Sequence, residues 1–137
     1  MQYISSVAAT TLRGRKLIGD GSCVLLVQAY ARVPKHQLWR QGPRVIEQDG
    51  LAIGTPVATF ENGVYPNWKT GNHAALFLRF GNKNADGTWA SFWVVEQYKG
   101  LIAISERELK RKGKVSSQWG ERWADPSNNA DAFYVIQ

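Results

Sequence analysis

The stretch Gly19-Asp20-Gly21-Ser22-Cys23-Val24-Leu25-Leu26-Val27-Gln28-Ala29-Tyr30 is a glycine-broken turn running into an apolar helical segment. The chain's one cysteine sits at the junction. Backbone N–H groups at a helix start lack intrahelical partners, and the helix dipole adds partial positive charge there. Both favour a thiolate over a thiol, so a cysteine at this position is placed as a nucleophile. The alternative use is a small buried hydrophobe. Val24, Val27 and Ala31 share one face of the helix, and Leu25, Leu26 and Tyr30 widen it, so most of the helix is expected to be buried. Pro34 is the expected stop.

Working outward, 137 residues with 44% hydrophobic content and six tryptophans suit one domain over 1–137 with a single core. One cysteine makes no internal disulfide, and with two histidines it makes a structural zinc site improbable; neither metal nor cofactor is expected. No apolar run approaches a membrane span, and Met1 to Gly14 lack the apolar core of a Sec signal. A net charge of +6 and a pI near 9.7 favour anionic partners. Nucleic acid is set aside, because no recognition helix or RNA-binding signature appears and the densest basic run is confined to 107–114. That run reads as a solvated helix face and its exit turn.

Downstream of Pro34, residues 35–44 read as a loop holding His36 and Trp39. Residues 54–60 read as a loop entering a short strand, and Tyr65-Pro66-Asn67-Trp68 as an aromatic loop. Residues 72–80 and 89–98 read as strands joined by a turn-rich connection, and 132–136 as a final strand. Residues 102–104 suggest another strand. Ser105-Glu106-Arg107-Glu108 resembles an N-cap with an acidic first turn, which predicts a helix over 106–112. One buried helix followed by a largely antiparallel meander is an α+β domain, with the helix packed on one sheet face.

A thiolate needs a base beside it and a third group orienting that base. His73 opens a strand, so its ring can reach past the sheet end towards the helix start. A turn centred near residue 85 pairs position 73 with about 97. Glu96 and Gln97 therefore compete to orient His73, and because they point to opposite faces only one serves. A carboxylate closing an apolar strand is costly to bury unpaired, which favours Glu96. His36 lies beyond the far end of the helix and is expected at the surface, at the opposite pole from the thiol.

Gly21-Ser22-Cys23-Val24-Leu25-Leu26-Val27-Gln28 resembles the cysteine-helix motif of the CHAP amidases and their NlpC-type relatives, compact papain-like cysteine peptidases and amidases. Residues 54–60 resemble their first core strand, 72–78 the histidine strand and 93–98 the strand with the third polar group. The likeness covers roughly residues 19 to 100. It implies a papain-like fold with an N-terminal nucleophile helix, and cleavage of amide bonds in peptidoglycan stem peptides or cross-bridges. By this resemblance Cys23 is the nucleophile, His73 the general base and then acid, and Glu96 the orienter. Ser22, Trp39, Tyr65, Trp68 and Gln97 are the expected substrate-binding residues. Similar small amidases are injected into rival bacteria or serve phage lysis. The expected site of action is accordingly the periplasm or cell wall, after specialised secretion or phage-assisted release from the cytoplasm. An acidic immunity or inhibitor protein is the expected partner. A papain-like acyltransferase or deamidase acting on a protein, or an inactive basic binding domain, are the alternatives the residues leave open.

Overall fold

The computed structural model describes residues 2–66 and 68–137; Met1, and Asn67 of the expected aromatic loop, lie outside the described residues. The chain has an α+β fold in which one α-helix packs on a six-stranded antiparallel sheet. Helix α1 (Cys23–Ala31) is followed by β1 (Gln41–Arg44), β2 (Pro56–Thr59), β3 (Ala74–Phe80), β4 (Ser91–Glu96) and β5 (Ser105–Lys110). A separate hairpin, β6 (Lys114–Ser117) and β7 (Gly120–Trp123), precedes the last strand, β8 (Phe133–Ile136). The sheet order is β1-β8-β2-β3-β4-β5.

The sheet is buried on both faces, which is why its central strands are apolar at nearly every position. Ala58, Ala74, Leu76, Val95 and Ile136 turn towards α1, where Leu26, Val27 and Ala31 meet them. Residues 2–18, which have no readable periodicity, complete this layer through a 3-10 turn at Ala9–Thr11 and the buried Leu12. Val57, Ala75, Phe77, Phe92, Val94, Leu109, Phe133 and Val135 alternate to the other face, beneath Val45 and Ile46. The chain enters α1 through a turn in which Gly21 has φ +88°, a backbone conformation that side chains rarely adopt. Asp20 Oδ1 accepts the Ser22 N–H at 2.9 Å in this turn. The helix ends on Arg32 in the left-handed region (φ 58°), two residues before Pro34.

Three expectations are corrected. The helix predicted over 106–112 is strand β5, which pairs with β4 from Ser91↔Lys110 to Glu96↔Ser105. Ser105 Oγ donates to the Ala103 carbonyl rather than capping a helix, Leu109 is buried, and Arg107 reaches the buried Glu96. The open edge of β4 outweighs the local capping signal. The strand suggested at 102–104 does not form. Ile102 is 99% exposed, while Ile104 is buried and pairs its backbone with Gly14 and Arg15 of the N-terminal segment. The basic run is no solvated helix face either: Arg107 reaches Glu96, and Arg111 Nε lies 2.7 Å from the buried Asp131, which also holds Arg44.

Strand β1, within the expected loop 35–44, pairs with β8. Its Gly-Pro pair hides it from propensity rules, but an edge strand tolerates proline. Gly42 is required by proximity: a Cβ there would stand 2.6 Å from the Val135 carbonyl oxygen. Gly42→Ala is therefore expected to destabilise the fold by about 1–3 kcal/mol, because a backbone atom of the neighbouring strand β8 must give way. Urea denaturation of the two proteins measures the difference.

Candidate active site

Cys23 is the first residue of α1 and half-buried. Its Sγ lies 3.7 Å from the Tyr65 hydroxyl. Asn72 Nδ2 donates to that hydroxyl oxygen at 3.1 Å, so the phenolic proton is free to point at sulfur. Burial pushes the Tyr65 pKa up, and the charge of Cys23 pushes it further, so the hydroxyl stays protonated. Burial also pushes the Cys23 thiol up. His73, by hydrogen bond and by charge, the Tyr65 hydroxyl and the Ala74 backbone N–H outweigh this and hold the thiol below its ordinary value.

His73 immediately precedes β3 and is 4% exposed. Its Nε2 is 2.8 Å from Glu96 Oε1, which leaves Nδ1 for Cys23. Burial alone would lower the imidazole pKa; the hydrogen bonds and negative charges of Cys23 and Glu96 reverse that and raise it to about 9. Glu96 is 2% exposed. Burial would raise its carboxyl, but His73 and then Arg107 hold it below the usual carboxylate range. Arg107 Nη2 donates to Glu96 Oε1 at 3.0 Å, and its Nε makes an ion-pair contact with Oε2 at 2.8 Å. That N–H is not aimed along the contact and has no hydrogen-bond acceptor.

The competition at the end of β4 is resolved by alternation. Glu96 follows Val94 to one face and meets His73, while Gln97 follows Val95 to the helix face and is fully buried. Gln97 Oε1 accepts the Ile18 N–H at 2.7 Å, and Nε2 donates to the Ile18 and Ser22 carbonyls at 3.0 and 2.8 Å. It thus clamps the turn that delivers Cys23, and Ser22 belongs to that turn as N-cap of α1. Trp39 is buried and does not wall a groove: its Nε1 donates to the Pro34 carbonyl, and its ring packs on Tyr65 with centroids 4.8 Å apart. Tyr65 is buried too. Trp68 is 41% exposed, with Arg122 over its ring at 4.7 Å. His36 is not at the opposite pole. The chain folds back after α1, and the ring lies 5.7 Å from that of Tyr65, with the buried Nδ1 unpartnered.

Two residues around the site escape sequence reading. Asn72 reads as a strand opener and Arg107 as part of a charge run. Arg107 becomes legible only once β5 is known to be a strand two residues out of step with Glu96. Among the described residues no group of three or more His, Cys, Asp or Glu is arranged to hold a metal ion.

A thiol at a helix start, facing a strand-borne imidazole that a buried carboxylate holds, belongs to the papain-like amidases. The comparisons specify the class. The chain matches the domesticated amidase effector 2 family over residues 1–136. It is 34% identical over 140 residues to a type VI secretion amidase effector 2 protein of Salmonella typhi, covering 100% of both chains. A solved type 6 secretion amidase effector 2 (Tae2) is similar in structure, with a TM-score of 0.82 and 33% identity over 98% of this chain and 94% of that one. The chain belongs to the domesticated amidase effector 2 family, and it is an amidase. Among the described residues no helix is long and apolar enough to cross a membrane.

The pair Cys23–His73 sets a pH window. Above the lowered thiol pKa the sulfur is ionised, and below about 9 the imidazole is protonated, so thiolate and imidazolium coexist between the two. Alkylation of Cys23 by iodoacetamide, followed against pH, is expected to stay fast below the ordinary thiol range. In His73→Ala the titration is expected to move to that range or above it, since burial then acts without its counterweight.

Proposed function

We propose that this amidase hydrolyses amide bonds of peptidoglycan stem peptides or their cross-bridges by cysteine acyl transfer, and that it shares this chemistry with the CHAP and NlpC-type enzymes it resembles. The observation that carries the reading is the His73–Glu96 hydrogen bond of 2.8 Å beside a helix-start thiol of lowered pKa. The Cys23 thiolate attacks the amide carbonyl carbon. Its own backbone N–H, at the open start of α1, and the neutral Tyr65 hydroxyl receive the developing oxyanion. The His73 imidazolium passes its proton to the departing amine, leaving a thioester. Neutral His73 then takes a proton from water as that water attacks the thioester, and the thiolate leaves. Glu96 keeps Nε2 engaged so that Nδ1 faces sulfur throughout, and Arg107 keeps Glu96 ionised. The similar proteins are type VI secretion amidase effectors, which supports delivery by that apparatus, and the proposed substrate puts the site of action at the cell wall. A producing cell then needs a neutralising partner, and a net charge of +6 fits an acidic protein seated over the mouth of Cys23.

Digestion of purified peptidoglycan, read by mass spectrometry of the released muropeptides, tests this. The native protein is expected to yield new fragments whose masses identify the scissile bond. Cys23→Ala and His73→Ala are expected to lose at least about 10⁴-fold in rate while remaining folded. Unchanged digestion by Cys23→Ala rejects the mechanism. Tyr65→Phe is expected to lower kcat by about 10²-fold with little change in KM, the signature of a donor that acts on the transition state.

A further inference from the structure

Beside the His73 imidazole the surface opens into a cavity of about 520 Å³, formed by residues 69–73 and 98–99, Arg107 and residues 127–128. Its ionic groups are all basic apart from the imidazole itself: Lys69, Lys99 and Arg107 line it, and no aspartate or glutamate does. The charge of Arg107 is committed to Glu96. Lys99 makes only a loose pair with Asp20, 3.4 Å apart with the two side chains 69% and 58% exposed, and water screens such a pair heavily. Lys69 has no acidic partner among the described residues. Two ammonium groups are therefore available over a concavity that reaches the catalytic ring. The ring of Tyr98 stands edge-on to His73, with centroids 6.3 Å apart, and walls the cavity beside it. Asn72 lines the cavity and also holds the Tyr65 hydroxyl beside Cys23, so the cavity is linked to the thiol through His73 on one side and through Asn72 and Tyr65 on the other.

We infer that this cavity is a carboxylate subsite, in which Lys69 and Lys99 receive a free carboxylate of the stem peptide flanking the scissile amide. The inference rests on the amidase reading above and adds to it a determinant of specificity. Lysine suits the task. Its flexible stem and compact charge follow a carboxylate without demanding the planar fork that arginine imposes. The same pocket disfavours a neutral amide at that position, because a carboxamide draws no net attraction from two ammonium groups.

The test separates binding from cleavage. Cys23→Ala protein is titrated calorimetrically with a stem-derived tetrapeptide whose carboxylates are free, and with the same peptide fully amidated. The acid is expected to bind at least about tenfold more tightly, with a preference that shrinks as salt is added. In the triple variant Cys23→Ala/Lys69→Ala/Lys99→Ala the preference is expected to fall to about twofold or less. Removing Lys16 and Lys35 instead, an equal loss of charge elsewhere on the surface, is expected to leave it intact. Equal binding of the two peptides overturns the subsite, as does a preference that survives loss of Lys69 and Lys99 or disappears equally with Lys16 and Lys35. Digestion of peptidoglycan by the native protein is scored in parallel. Cleavage without the binding preference rejects the subsite alone. The lysine-dependent preference without cleavage supports the subsite and rejects the peptidoglycan-hydrolysis reading.

Discussion

Two consecutive residues at the end of β4 govern the site. Glu96 turns to one face and fixes the imidazole; Gln97 turns to the other and fixes the turn that starts α1. The strict alternation of a strand is what allows this, since neighbouring side chains must leave on opposite sides. The nucleophile and its base are separated by 50 positions in sequence, yet both are referred to one rigid strand end. Gln97 has three polar contacts in a fully buried setting, so its amide has little freedom to rotate. The entry angle of α1, and with it the position of Sγ, follows from that.

The charges of the site form an alternating series: Cys23 thiolate, His73 imidazolium, Glu96 carboxylate, Arg107 guanidinium. Each buried member has an opposite charge beside it, which is the condition under which charge survives in a low dielectric. The consequence for stability has two signs. His73 is raised above its unfolded value, so its contribution is full below about pH 6.5 and is lost as pH rises through about 9. Glu96 is depressed, so its contribution is present above the ordinary carboxylate range and is lost as pH falls through the lowered value. Above the lowered values of both Cys23 and Glu96 and below about 9, all four groups keep their charges. The active protonation state therefore falls within the range in which Glu96 stays ionised and His73 stays protonated. Tyr65 completes the environment from the uncharged side: it meets the thiolate with a hydroxyl too weakly acidic to compete for the negative charge.

How much of this is legible in the sequence depends on whether a residue answers to local or distant neighbours. The strands β2, β3, β4 and β8 announce themselves as apolar runs because each is buried on both faces, and the α1 start announces itself through its glycines. Glu96 is readable from the cost of burying a carboxylate at an apolar strand end. Its rivalry with Gln97 is not, because one residue of register decides it and a bulge lies between Phe77 and Arg79 in the β3–β4 pairing. Residues 105–110 carry a genuine helix-start pattern, yet they serve the vacant edge of β4, a demand that lies wholly outside the segment. Arg107 is hidden by the same error, since a helical reading sends its side chain to solvent. The weak strands β1, β6 and β7 are polar or contain Gly-Pro, so pairing alone defines them. His36 shows the remaining gap: it follows α1 by a few residues, and only the reversal of the chain brings it back to Tyr65.

The location of the site follows from the same burial that makes the strands readable. A sheet covered on both faces leaves no room for a polar constellation along its length, because any such group would meet apolar side chains above or below. Only the strand ends are open. Antiparallel pairing brings the start of β3 and the end of β4 to one end of the sheet, and the start of β5 comes there with them. His73, Glu96 and Arg107 arrive from these three places. Helix α1 crosses β3 with its first turn directed to the same end, and this adds Cys23. The cationic cavity opens there as well, because the loops 69–73 and 98–99 are the extensions of those same strand ends. Thus a polar, solvent-reachable site and a doubly covered apolar sheet are two aspects of one topology, and substitution of any central apolar residue acts on chemistry only by shifting where these ends meet.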